Sequence, residues 1–72
     1  MDWSRCDLVE VVPGKVSGRP VIKGTRILAD SIEQYSARGA TVEEIREDFP
    51  SLSEETILRM VEYVKAQEAS AA

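Results

Sequence analysis

The hydrophobic period changes once along this chain, and the change falls at Leu28. Before it, apolar residues come in short β-branched blocks, "LVEVV" at Leu8–Val12 and "PVI" at Pro20–Ile22, with the turn signal Pro13-Gly14 between them. After it, Leu28, Ile32 and Tyr35 recur at i, i+4 and i+7, which places them on one face of a helix. A chain of 72 residues has room for one domain, with a core that is marginal on its own. The expected fold is therefore mainly α with a small N-terminal β-ribbon, in a single domain over residues 1–72. The ribbon should occupy 8–27, a three-helix bundle 28–68, and a frayed tail 69–72.

The helix boundaries follow from capping chemistry. Gly39 is a natural stop after the first helix. Thr41 and Glu44 form a T-x-x-E capping box for the second, whose stripe is Val42, Ile45 and Phe49 and which Pro50 ends. Ser53 caps the third, with stripe residues Ile57, Val61 and Val64 widened by Leu58 and Met60. The connection "PSLS" gives the last two helices helix-turn-helix spacing, so the bundle is expected to be homeodomain-like or winged-helix-like. In the ribbon, Pro20 lacks an N–H, so its strand must lie at a sheet edge or begin at that proline. An apolar edge at Val21 and Ile22 would need a second chain to cover it, which predicts a homodimer.

The net charge of −4 conceals an asymmetry. Residues 1–27 carry +2, and residues 28–72 carry −6. Within the basic part, "SGRPVIKGTRI" (Ser17–Ile27) holds Arg19, Lys23 and Arg26 and no acid, and Lys15 lies just before it. These four bases, Lys15, Arg19, Lys23 and Arg26, are the candidate contact residues for nucleic acid or for an acidic protein partner. The plainer alternative is that they guard an edge strand against aggregation.

Composition argues against catalysis. There is no histidine, and the single cysteine, Cys6, has no histidine to activate it and no partner for an intrachain disulfide. One cysteine without histidine cannot make a structural zinc site, so no metal and no cofactor is expected. "GRPVIKGT" is not a phosphate-binding loop, because its lysine precedes the second glycine. The helix that would enter a DNA groove begins with Glu54 and Glu55, which repel phosphates. The start "MDWSRCD" has no apolar stretch typical of a signal peptide, and no run is long enough to span a membrane. A cytoplasmic location without membrane contact is expected.

At "GRPVIKGTRI" the chain resembles the domain of unknown function 433 family, whose hallmark is G-[K/R]-P-x-[I/V]-x-G-T-R-[I/V]. The matching residues are Gly18, Pro20, Val21, Ile22, Gly24, Thr25 and Arg26, and the likeness continues through "ARGATVEEIREDFPSLSEETI". Leu28 departs from the family, which often has proline there. The resemblance implies a trihelical domain with an N-terminal β-segment that dimerises. It also implies an antitoxin-like role, because many members are encoded beside a PIN-like ribonuclease. The expected function is thus an antitoxin, not an enzyme, that neutralises such a nuclease and represses its own operon by binding operator DNA. Two alternatives remain open: a stand-alone DNA-binding regulator and a plain dimerisation module.

Overall fold

A computed structural model describes residues 1–71. Two short strands, β1 (Val9–Glu10) and β2 (Val21–Ile22), precede three helices, α1 (Ala29–Ala37), α2 (Val42–Asp48) and α3 (Glu54–Ala71). The strands pair antiparallel, Val9 opposite Ile22 and Glu10 opposite Val21. Mainly helical with a two-stranded N-terminal sheet, the chain is a small trihelical bundle carrying a hairpin.

The strands are shorter than the apolar blocks that announced them. Val12-Pro13-Gly14-Lys15 closes a turn through Lys15 N–H to the Val12 carbonyl (3.0 Å), with Gly14 at φ +81°. Proline second and a positive-φ glycine third is the type II arrangement. A left-handed 3₁₀ turn follows, in which Val16 (φ 48°), Ser17 (φ 56°) and Gly18 (φ 72°) all lie in the left-handed region. Each non-glycine residue there costs about 1–2 kcal/mol. These turns pull the chain out of the ladder, so the extended segment expected from Gly18 onward is a strand only at Val21–Ile22.

The structure corrects the idea that Val21 and Ile22 form an uncovered edge. β2 is the middle of three extended segments. β1 flanks it on one side, and on the other Ile22 N–H donates to Ile27 O (3.0 Å) and Ala29 N–H to Pro20 O (3.1 Å), around a bridge from Val21 to Leu28. Val21 is fully buried and Ile22 nearly so within a single chain. Pro20 thus begins a central strand. Its carbonyl takes up the first orphan N–H of α1, where Leu28 supplies no side-chain cap.

α3 packs against both α1 and α2, and the core lies between them. Ile32 from α1, Ile45 from α2, and Ile57, Met60 and Val64 from α3 are fully buried. The inward stripe of α3 is therefore Ile57-Met60-Val64, with Val61 half-buried beside it. Leu58, expected to widen that stripe, is 47% exposed, because one residue after Ile57 turns by about 100° toward solvent. The capping box forms as expected: Thr41 Oγ1 accepts from Glu44 N (3.2 Å), and Glu44 Oε1 from Thr41 N (3.0 Å). Ser53 Oγ accepts from Thr56 N (3.1 Å) and starts α3. Residues 69–71, expected to fray, continue α3, since no glycine or proline stops it. The rest of that tail, residue 72, lies outside the described residues.

The N-terminal segment had yielded no packing role from sequence, yet it closes the core. Trp3 is 6% exposed and stacks on Tyr63, ring centroids 5.5 Å apart. Its Nε1–H donates to Asp30 Oδ1 (2.8 Å), and the Tyr63 hydroxyl donates to the Asp2 carbonyl. Cys6 is buried with its Sγ 4.0 Å from Met60 Sδ.

The core predicts a sharp contrast between neighbours. Ile57→Ala should lower unfolding stability by about 2–5 kcal/mol in chemical denaturation, whereas Leu58→Ala should stay within about 0.5 kcal/mol. Equal losses at both positions would contradict the placement of α3.

A basic turn as the candidate functional site

The segment from Lys23 to Arg26 folds back on itself through bonds that Thr25 makes locally and that Lys23 and Gly24 make to the first strand and its approach. Thr25 N–H donates to Ile22 O (3.0 Å), and the Thr25 hydroxyl donates to the same carbonyl (2.8 Å) while accepting from Ile27 N–H (3.0 Å). Thr25 therefore staples both ends of the turn. Gly24 sits at φ +75°, with open space where a Cβ would be. Its requirement is conformational and not steric. The Gly24 N–H points across the hairpin to Glu10 Oε2 (3.2 Å).

Glu10 is the organising acid of this region. Its Oε2 also accepts from Lys15 Nζ at 3.1 Å. The Gly24 N–H first, and the Lys15 ammonium second, hold the Glu10 carboxyl below the ordinary glutamate range. Nearby Lys23 adds to the same effect. One carboxylate thus fixes the turn and brings Lys15 and Lys23 into one neighbourhood.

The four candidate contact residues have unequal fates. Lys15 is half-buried and engaged with Glu10. Arg19 lies elsewhere, 3.8 Å from Asp30 Oδ2, with its side chain 55% exposed. An exposed pair at that distance is worth about 0–1 kcal/mol, so Arg19 is held loosely. Lys23 and Arg26 are exposed, and among the described residues neither has an acidic partner within 4 Å. The structure therefore gathers Lys15, Lys23 and Arg26 around the Gly24-Thr25 turn and leaves Arg19 apart. A segment free of acids in sequence is not free of them in space. Nor do these bases guard a sheet edge, since β2 is central.

Glu10 and Asp30, the two acids that decide which bases are occupied, were not legible as such. Glu10 reads as the polar position of an apolar strand, and Asp30 as an acid suited to a helix start. The only signal was indirect: Glu10 is the single charge within "LVEVV".

The helical surface carries the opposite charge. Glu43, Glu44, Glu47, Asp48, Glu54 and Glu55 are all exposed on α2 and the first turn of α3. The Tyr35 hydroxyl donates to the Asp48 carboxylate, which, ahead of burial, raises the tyrosine above its ordinary value. Arg59 on α3 lies 3.5 Å from Asp7. No helix among the described residues is long and apolar enough to cross a membrane, and no three His, Cys, Asp or Glu side chains among them converge as metal ligands would.

The family profile described as a protein of unknown function, DUF433, matches residues 9–64, which include both strands, α1, α2 and most of α3. The chain belongs to this family. No curated protein and no solved structure matches it significantly. Within the matched residues, Gly24, Thr25 and Arg26 divide by role. Gly24 and Thr25 are spent on the turn, whereas the Arg26 side chain makes no hydrogen bond or ion pair among the described residues. Trp3 and Cys6 lie outside the matched residues and so supply core that the profile does not describe.

Two outcomes test the turn. Gly24→Ala should cost about 1 kcal/mol of stability, and Gly24→Asn less, because asparagine tolerates the left-handed region. Since the folded chain depresses Glu10, its contribution to stability is complete above the unfolded-state value and is lost as pH falls through the lower, folded value. In an acid titration followed by NMR, the Gly24 amide should shift with a midpoint below the ordinary glutamate value, and Glu10→Gln should abolish that transition. A Gly24 amide indifferent to Glu10 would rule out the bond.

Proposed function

We propose that this chain is the antitoxin-type member of a toxin–antitoxin pair: a homodimeric binding protein, not an enzyme, that neutralises a PIN-like ribonuclease and represses its own operon. The observation that carries the reading is the Lys23–Arg26 turn. It is exposed, conformationally fixed, and holds an arginine with no acid of its own, on a chain whose net charge is −4. The DUF433 resemblance supplies the nuclease as the partner.

A guanidinium pairs directionally with carboxylates, the groups that line the metal site of a PIN-like nuclease. Arg26 arrives without an internal bond to break, and Thr25 and Glu10 keep its backbone ordered before contact, which lowers the entropic cost of binding. Arg19 can exchange Asp30 for a partner at small cost, and Lys15 is the least available of the four. The acidic helices keep the complex soluble and favour the basic turn as the contact surface for any polyanion. Operator binding then depends on Lys23 and Arg26 and falls steeply with salt, with little effect of Lys65→Ala.

Co-expression with the PIN-like nuclease encoded beside the gene should relieve the growth arrest that the nuclease causes. Removing one partner of a desolvated charge pair costs about 2–5 kcal/mol, so Arg26→Ala should weaken the complex at least tenfold while melting like wild type. A Lys23/Arg26 double alanine variant that stays folded and still silences the nuclease at full strength would move the contact off this turn. A nuclease that ignores the wild-type chain would favour the stand-alone regulator.

A further inference from the structure

The Gly24 turn already holds a carboxylate, and that carboxylate belongs to the chain itself. Glu10 Oε2 accepts from the Gly24 N–H (3.2 Å) and from Lys15 Nζ (3.1 Å). An amide from the turn after β2 and an ammonium from the turn after β1 thus converge on one oxygen. The Lys23 ammonium is close enough to stabilise the same charge, yet it has no acid within 4 Å among the described residues. Two positive charges and an amide therefore face a single negative charge, and positive charge is left over. The Gly24 amide first, and Lys15 second, hold the Glu10 carboxyl below its ordinary range, so the donors favour an ionised occupant.

Glu10 reaches these donors by its side chain alone. Its backbone is paired with Val21 in the ladder wherever the carboxylate goes. The Glu10 side chain is 30% exposed and that of Lys15 26%, so water and a competing anion can reach both. Neither belongs to the buried core. An ion pair so accessible is weak, and it can open without unfolding the hairpin.

We infer that the Gly24 amide, Lys15 and Lys23 form a carboxylate-binding site that Glu10 occupies as an internal stand-in, and that an acidic side chain of a protein partner takes its place. The occupant selects the ligand class, since what these donors hold is a carboxylate. The site is argued from this chain alone; that the incoming carboxylate belongs to the nuclease rests on the proposed function. Glu10 then acts twice. Before contact it keeps the turn ordered. At contact it cedes its donors, so that Lys15, engaged in the free chain, becomes a contact residue in the complex. It also filters ligands, because an isolated anion competes poorly with a tethered one, whereas an acidic segment that reaches Lys23 as well can displace it. If Glu10 fills the site about nine-tenths of the time, removing it raises the apparent affinity about tenfold.

The test titrates the full chain with a short oligoglutamate peptide at constant ionic strength and follows the Gly24 amide by NMR. Glu10→Ala should move the amide proton upfield, because it loses its acceptor, and the peptide should return it toward the wild-type position. The peptide should bind Glu10→Ala about tenfold more tightly than wild type. Lys15→Met in the Glu10→Ala chain should remove most of that gain. Glu55→Gln, which removes the same charge from the exposed start of α3, should leave the wild-type affinity unchanged. Glu10→Gln keeps an acceptor for the amide should the alanine variant fail to fold, and it should still bind more tightly than wild type through the freed ammonium. Equal affinity of wild type and both Glu10 variants overturns the inference, as does a gain matched by Glu55→Gln, or a Gly24 amide in Glu10→Ala that the peptide does not move. Inorganic phosphate that restores the amide at lower concentration than the peptide would overturn the carboxylate as the ligand class. No nuclease enters this titration, so a nuclease that ignores the chain counts against the proposed function and leaves the site standing.

Discussion

The rest of the fold depends on the hydrogen bonding of β2 from both sides. A two-residue strand has no stability of its own. Val21 and Ile22 persist because β1 satisfies one row of their backbone groups, the Ile27–Ala29 segment satisfies the other, and both side chains are buried. Burying an aliphatic side chain of that size is worth about 1.5–3 kcal/mol, which for two residues is a large share of the total stability of a small domain. The same bonds start α1, since the Pro20 carbonyl takes up the Ala29 N–H. The hairpin is thus part of the core and not an appendage to the helices.

That arrangement explains why so short a motif can be both structural and exposed. Gly24 and Thr25 make the reversal that brings the chain from β2 to its second neighbour, and Glu10 locks the reversal from β1. With those jobs done by a backbone and two short-range bonds, Lys23 and Arg26 are left outward on a rigid base. The charge pattern follows from the same geometry. Long-range packing hands Lys15 and Arg19 an acid each, from β1 and α1, and gives none to Lys23 or Arg26.

Much of the architecture was legible before the structure. Period, caps and stops set the three helices: Thr41 with Glu44 and Ser53 perform the capping that their spacing announces. The DUF433 membership expected from the sequence holds over residues 9–64. The candidate site was only half legible. Residue type marked the bases, but which of them are free depends on acids that lie outside the basic segment, Glu10 for Lys15 and Asp30 for Arg19.

Sequence by itself determined what neighbours within a few residues decide: where helices begin and end, where the chain must turn, and that the two ends differ in charge. Tertiary structure alone decided what depends on which segments meet. It made β2 central and β1 the edge, turned Leu58 outward and Met60 inward, and brought Trp3 onto Tyr63 to close the core. The physical reason is the range of the interactions. Capping and turn preferences act through bonds spanning three or four residues. Burial and pairing of charges are set by surfaces that come together only when the whole chain has folded.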